Sequence, residues 1–355
     1  MCEALPNVSV IVPCRNEGKW IAPCLDSILG NDYPRQRLEV LVIDGMSTDE
    51  TRAVVQRYAA LHTCIRLLDN AKQITPAALN IGIAAAHGTV VLRMDAHVEY
   101  PADYVLSLVR LLGEKQADNA GGVCLTLPGG ESVMARAIAV GMSHPLGVGN
   151  SRFRIGSREE RWVDTVPFGC YRREVFERIG LFDEDLVRNQ DDELNLRLIK
   201  HGGRVLLAPQ VVCRYYARDS LAKLWRMYYQ YGYFKPLVVR KVGGVMTLRQ
   251  LAPPLLVLCL AATALAALLG LALLPIGWKL VAPTAFALVA GGYLAAIGAC
   301  AAAAARRHGW AVAAALVAVF PALHLSYGTG YLRGVVEFLL LRRNRAGGGA
   351  VPLTR

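Results

Sequence analysis

The chain has 355 residues, 54% of them hydrophobic, and a formal charge of +11. That length accommodates one large domain with an appendage, or two ordinary domains. Its basic residues are scattered, which argues against nucleic acid and leaves nucleotide phosphates and anionic membrane lipids as the expected charged partners. The nine cysteines lie far apart, with no Cys-x-x-Cys pair and no metal-ligand spacing, as in a chain with reduced cytosolic thiols. Glu3 and Pro6 lead into a strand pattern rather than a signal peptide, so the residues before Leu251 are expected to stay on the side of synthesis.

In chain order, short β-branched runs alternate with helical periodicity. Val8–Val12 runs into Pro13, Leu38–Ile43 into Asp44-Gly45, Ile65–Leu68 into Asp69-Asn70, and Val90–Met94 into Asp95. Between them Trp20–Leu29, Asp49–Leu61 and Pro76–Ala86 carry apolar residues at three- and four-residue spacing. This pattern predicts an α/β domain of βαβ units with a mostly parallel sheet. Ligands of such sheets bind beyond the carboxyl ends of the strands, which places Asp44, Asp69 and Asp95 on one rim. Asp is also a common turn former and N-cap. Both readings stay open at Asp69, while the neighbours of Asp44 and Asp95 favour a functional one. After Asp44 the chain reads as a turn at Gly45, with Ser47 or Thr48 able to cap the next helix.

From Gly121 the pattern loosens, and Gly141–Arg158 reads as a glycine-rich, partly mobile stretch. Arg172–Leu181 is helical with Gly180 as its cap. Asn189-Gln190-Asp191-Asp192-Glu193 then opens a helix that Gly202-Gly203 stops. Three acids suit a helix N-terminus, yet adjacent carboxylates repel, and one turned into a crevice would have a raised pKa suited to proton abstraction. Leu221, Leu224, Trp225, Tyr228 and Tyr229 share one helical face with Lys223 and Arg226 elsewhere, which predicts an amphipathic interfacial segment over 219–250. A core-packing helix gives the same spacing.

From Leu251 to Leu341 the formal charges are Lys279, Arg306, Arg307, Arg333 and Glu337. Transmembrane spans are expected at about 254–274, 280–305 and 310–330 within a membrane region of residues 251–345. Arg240, Lys241, Arg249, Arg306 and Arg307 put the first two on a cytoplasmic base, making a multi-pass protein of a cell inner membrane or its equivalent, with its N-terminal α/β domain in the cytoplasm. Arg342, Arg343 and Arg345 ask for the same side, which leaves the path of the third element open. Leu332–Leu341 is too short to span unless fused to its predecessor.

Taken together, five segments resemble those of a family-2 glycosyltransferase with a GT-A fold, of the succinoglycan-type exopolysaccharide group. They are Val8–Glu17, Val42–Asp49, Asp69–Asn80, Arg93–His97 and Asn189–Arg197. The resemblance implies a GT-A nucleotide-sugar-binding domain over residues 1–218, followed by C-terminal transmembrane helices. It implies that Pro13, Arg15 and Glu17 line the nucleotide pocket, that Asp44 reads uracil or ribose, and that Lys72 and Asn80 border the phosphates. Asp95 falls in the family's Asp-x-Asp element for a divalent cation, Mg²⁺ or Mn²⁺. Here the third position is His97, and imidazole suits Mn²⁺ better than Mg²⁺. Asp191 matches the catalytic base, with Gln190 in place of the usual glutamate and Asp192 as the competing candidate.

These matches imply inverting transfer of one sugar, from a nucleotide sugar (a UDP-sugar by the resemblance) to a lipid-linked or membrane-associated acceptor. Processive synthases of the family carry Gln-x-x-Arg-Trp. This chain has Leu224-Trp225-Arg226, with Trp and Arg in reversed order. The alternatives are such a synthase, or a membrane scaffold that binds a nucleotide sugar without catalysis. A soluble dehydrogenase is disfavoured because no Gly-x-Gly-x-x-Gly follows the first strand.

Overall fold

The computed structural model describes residues 5–244, 247–273, 275 and 279–343. The readings at Glu3, at residue 274 and at Arg345 fall outside them. Four strands, β1 (Val8–Cys14), β2 (Leu38–Asp44), β3 (Ile65–Asp69) and β4 (Val90–Arg93), pair in parallel in the order β3-β2-β1-β4. Helices α1 (Gly18–Leu29), α2 (Thr51–Leu61) and α3 (Thr75–Ala85) make the crossovers. β1, β2 and β4 are near-continuous apolar runs because helices cover both faces of the sheet there, while β3, at the edge, buries only Ile65. Register sets Cys14 beside Asp44 and Asp44 beside Asp69, so the carboxyl ends of three strands lie level.

The second half of the sheet is mixed. It is built from β5 (Val98–Glu99), α4 (Tyr104–Glu114), β6 (Asn119–Leu127), α5 (Val133–Met142), α6 (Pro145–Val148), α7 (Arg152–Ile155), β7 (Arg161–Trp162), β8 (Cys170–Arg172), α8 (Arg173–Ile179), α9 (Gln190–Lys200) and β9 (Val205–Tyr216). Strand β8 runs antiparallel to both β4 and β6, and β6 pairs with β9 in parallel. Within the stretch read as loose, Gly141–Arg158, the chain forms the end of α5 and the short helices α6 and α7. The cap after β2 also differs from expectation. Ser47 turns back to donate to Asp44, and Asp49 instead accepts from the backbone N–H groups of Gly18 and Thr51 at 3.0 Å each.

The C-terminal part begins with α10 (Leu221–Val242), followed by α11 (Ala252–Leu273), α12 (Val281–His308) and α13 (Trp310–Gly334), the last extended by a π-helical stretch over Val335–Leu340. Three segments are long and apolar enough to cross a membrane: Leu248–Ala272, Val281–His308 and Trp310–Leu340. Leu332–Leu341 is thus fused to its predecessor for most of its length. The first two segments turn leucines such as Leu265 (57% exposed) and Leu288 (71%) outward, as lipid-facing helices do. The third is more than half buried, against α10 and α5.

This packing revises the expectation for the interfacial helix. Leu224 and Tyr228 are buried, and so are Tyr233, Phe234 and Leu237, with Phe338 beyond α13 packed against the latter group. The apolar face of α10 is therefore occupied by protein, while Trp225 remains 40% exposed. Small residues permit the close approach. A Cβ on Gly232 would stand 2.0 Å from the Tyr327 carbonyl oxygen, and one on Gly330 would stand 2.2 Å from that of Tyr229.

Candidate functional site

At the carboxyl ends of β1 and β4 opens a cavity of about 740 Å³. Pro13, Arg15 and Glu17 form one end of its wall, Asp95 and His97 follow, and Asp191 and Asp192 come in from α9. The wall then continues to Pro253, Leu256, Tyr293 and His324 on the membrane helices. The α/β domain and the apolar C-terminal helices thus share one chamber.

Its centre is organised by Arg93. Arg93 ends β4, and Asp95 lies two residues beyond it within reach of its guanidinium. Arg93 Nε donates to Asp95 Oδ1 at 2.8 Å, and its Nη1 donates to Asp191 Oδ1 at 2.6 Å. Asn189, in the left-handed region at φ 62°, turns the chain into α9, and its side-chain amide donates to the Tyr231 carbonyl at 2.8 Å. This aims the first turn of α9 at the chamber. The three adjacent acids then splay to three cations: Asp191 to Arg93, Asp192 to Lys235 at 2.7 Å, and Glu193 to Arg197 at 2.7 Å.

Those pairings decide the electrostatics. Burial alone would push Asp95 up, but the adjacent Arg93 charge and its hydrogen bonds, with His97 assisting, hold the carboxyl below the usual carboxylate range. For Asp191, burial pushes the carboxyl up, Arg93 opposes this, and the Asp95 charge adds to it, so the result lies above the usual range. Its side chain keeps 27% exposure, an opening onto the cavity wall. An ionisable group of this kind, reachable from a cleft and basic enough to take a proton, is chemically suited to general-base work.

Among the described residues no three His, Cys, Asp or Glu side chains make a ready metal cage. His97 Nδ1 is nevertheless buried without a hydrogen bond, 3.2 Å from Glu17 Oε1, on the wall it shares with Asp95. One imidazole nitrogen beside carboxylate oxygens fits a cation whose remaining ligands come with a phosphate group.

Three expected residues lie elsewhere. Asp44 is fully buried behind the wall, accepting from the Ser47 backbone at 3.1 Å and from Arg52 at 3.1 Å. Arg52 also reaches Asp69 at 2.7 Å, so the two strand-end carboxylates converge on that arginine rather than on the chamber. Lys72 pairs with Glu184 at the surface. Asn80 pins the chain at Phe182, donating to its carbonyl at 2.9 Å and accepting from its N–H at 3.0 Å. Of the acids that the family resemblance assigns to the site, Asp95, Asp191 and Asp192 line the chamber. Asp44 does not, because its oxygens are consumed by the turn that follows β2.

The profile of Glycosyl transferase family 2 matches residues 9–180. The chain is 30% identical over 335 residues to the succinoglycan biosynthesis protein ExoA of Rhizobium meliloti (strain 1021), covering 93% of this chain and 95% of that one. The chain belongs to glycosyltransferase family 2. It is also 31% identical to a Methanococcus voltae enzyme named dolichyl N-acetyl-alpha-D-glucosaminyl phosphate 3-beta-D-2,3-diacetamido-2,3-dideoxy-beta-D-glucuronosyltransferase, over 66% of this chain and 74% of that one. In fold it is similar to the mannosyltransferase PcManGT of Pyrobaculum calidifontis, solved with GDP-Man and Mn²⁺. That match has TM-score 0.55 and 24% identity, covering 89% of this chain and 86% of that one.

This glycosyltransferase therefore has a GT-A domain joined to apolar membrane helices. Several chamber residues were missed in the sequence: Arg93, Arg154, Arg188, Arg218, Lys235 and Arg249. Only Arg93 carried a readable signal, its i, i+2 relation to Asp95. The others reach the chamber from α7, from α10 and from the connections between elements, at positions that only the tertiary fold defines.

Proposed function

We propose that this glycosyltransferase transfers one sugar, with inversion, from a nucleotide-sugar donor such as a UDP-sugar to a lipid-linked or membrane-associated acceptor. The observation that carries the reading is the continuity of the chamber, which runs from Pro13 and Arg15 past Asp95 and Asp191 to Leu256 and His324 on the membrane helices. A donor entering at the strand ends and an acceptor entering from the bilayer would meet at Asp191. The Methanococcus voltae relative carries a dolichyl phosphate in its name, and PcManGT holds GDP-Man with Mn²⁺, which supports both halves of the reading.

In this reading Pro13, Arg15 and Glu17 border the nucleotide. Asp44 acts from behind them, fixing Ser47 and Arg52 next to Gly45, which does reach the wall. Lys72 and Asn80 act on the rim through Glu184 and Phe182. Asp95 and His97 would hold a divalent cation, Mg²⁺ or Mn²⁺, which when bound offsets the charge growing on the departing diphosphate. Asp191 takes the proton from the attacking acceptor hydroxyl, its basicity raised by burial. Arg93 keeps that carboxylate oriented until substrate arrives. The basic residues Arg240, Lys241, Arg306 and Arg307 support a cytoplasmic position for the GT-A domain.

The test uses membranes containing the protein, a panel of nucleotide sugars, and release of nucleoside diphosphate with and without Mg²⁺ or Mn²⁺ and a lipid-linked acceptor. We expect metal-dependent release and a product longer by one sugar. A long polymer on one acceptor would indicate a processive synthase. Undiminished transfer to a soluble oligosaccharide after lipid removal, or a trapped covalent glycosyl-enzyme, would overturn the proposal.

A further inference from the structure

Among the cations of the chamber, Arg188 donates to Gln230 Oε1 at 3.0 Å, and most of the others fall into two groups. Arg93 is neutralised by Asp95 and Asp191, Lys235 by Asp192, and Arg249 by Asp164 at 2.7 Å. Arg154 and Arg218 have no ion pair with any described carboxylate, although both line the same wall. The Nη1 of Arg154 and the Nε of Arg218 are each buried with no hydrogen-bond partner.

An unpaired guanidinium withdrawn from water is costly, and the cost is recovered when an anion arrives. Both border Tyr215. The Arg154 guanidinium lies 5.4 Å from the Tyr215 ring centre, Arg218 follows three residues after Tyr215, and both charges act on that tyrosine. The Tyr215 ring also meets the edge of His97, with centroids 5.6 Å apart, so the pair borders the candidate cation position. Arg15 Nε is likewise buried and unbonded, but it lies at the strand ends against Gly45. The chamber therefore offers guanidinium groups at two places, one at the strand ends against Gly45 and one beside Tyr215, facing Tyr228 and Tyr231 of α10.

We infer that Arg154 and Arg218 form an anion subsite for the phosphate or diphosphate that joins the acceptor sugar to its lipid. The lipid chain then leaves along Pro253, Leu256 and Leu323, which line the membrane end of the chamber. This rests on the lipid-linked acceptor proposed above and specifies its chemistry: a phosphoryl ester anion recognised by bidentate guanidinium donors rather than an uncharged glycolipid. The same chemistry is carried by the diphosphate of the donor, so the experiment must separate the two sources.

The full chain in nanodiscs is titrated with a polyprenyl phosphate, with the matching uncharged polyprenol, and with UDP and GDP. The expected result is preference for the polyprenyl phosphate over the polyprenol. Arg154→Gln and Arg218→Gln should each weaken that binding about tenfold or more and leave nucleotide affinity unchanged. Arg154→Lys and Arg218→Lys, which keep the charge but lose the fork, should fall between, and they decide the matter if the Gln variants lower the thermal midpoint. Equal binding of phosphate and polyprenol by the wild type overturns the inference. So does a loss confined to nucleotide binding in the variants, which would assign both arginines to the donor. Arginine-dependent binding of polyprenyl phosphate without nucleotide-sugar turnover would instead retain the subsite and remove the proposed activity.

Discussion

Arg93 Nη1 lies 2.6 Å from Asp191 Oδ1, although the two residues are 98 positions apart in the chain. The same guanidinium holds Asp95, so one cation spaces two carboxylates that would otherwise repel across the centre of the chamber. That arrangement sets the pH response. A general base acts ionised, and Asp191 is held above the ordinary aspartate value of about 3.9. The acid limb of kcat/KM is therefore expected to lie above that value, with rate lost as pH falls through it. Arg93→Met removes the main charge that pulls Asp191 down, so the limb should move further up in the variant. Leaving two buried carboxylates uncompensated should also cost about 3 kcal/mol, read as a lowered thermal midpoint. The two acids make opposite contributions to stability. Depressed Asp95 contributes stability above about pH 3.9 that is lost as pH falls through its folded value. Raised Asp191 favours the fold at low pH, and that contribution disappears as pH rises through its folded value. An acid limb unmoved by Arg93→Met would remove Asp191 from the base role.

Asp191 and Asp192 are neighbours with different partners, and substitution separates them. Asp191→Asn should lower transfer by roughly 10²–10⁴-fold, while nucleotide binding stays near wild type. Asp192 is tied to Lys235, so Asp192→Asn should act through the loosening of α10 and lower turnover far less. Single-turnover rates and nucleotide affinities of both variants make the comparison. The opposite ranking would shift the base by one residue.

Much of this was legible in the sequence where a local signal coincides with the tertiary role. The runs at Val8, Leu38 and Val90 became β1, β2 and β4 because a strand buried on both faces must be apolar throughout, and the run at Ile65 became the edge strand β3. Helix α4 was there to read in the spacing of Val105, Leu108, Leu111 and Leu112, yet β6 and β9 were not, since Gly121-Gly122 and Pro209 interrupt their patterns. At the site, Asp95 and Asp191 stand where strand-end and helix-start logic puts them. Asp44 obeyed the same logic, but whether a strand-end carboxylate faces the ligand or its own turn depends on Arg52 and Ser47, and spacing does not show that choice. The fate of the α10 apolar face was equally hidden, because a helix facing lipid and a helix facing α13 share one periodicity.

His97 stands where the family motif carries an aspartate, and its Nδ1 is buried with no hydrogen bond. Imidazole is a better ligand for Mn²⁺ than for Mg²⁺, whereas a carboxylate suits the harder ion. His97→Asp is expected to raise the ratio of the Mg²⁺-supported to the Mn²⁺-supported rate. Initial rates at saturating concentrations of each metal give that ratio, and an unchanged value would mean that His97 does not contact the cation.

Gly330 tests whether the membrane helices help to shape the chamber. A Cβ there would meet the Tyr229 carbonyl oxygen at 2.2 Å, a contact with backbone on α10 that no rotamer change relieves. Gly330→Val must therefore separate α10 from α13, at about 1–3 kcal/mol for overpacking a close contact. The effect should reach function as well, because α13 carries His324 and Tyr327 in the chamber wall and His324 Nε2 lies 2.7 Å from the Leu146 carbonyl oxygen. Spreading the pair moves that wall away from Asp191, so transfer to a lipid-linked acceptor should decline more than nucleotide affinity, which depends on the strand ends. Gly298 on α12, with open space around it, serves as the control, and Gly298→Val should leave both the midpoint and the rate nearly unchanged. A lowered midpoint with acceptor transfer intact would show that α13 anchors the enzyme without contributing to its acceptor site.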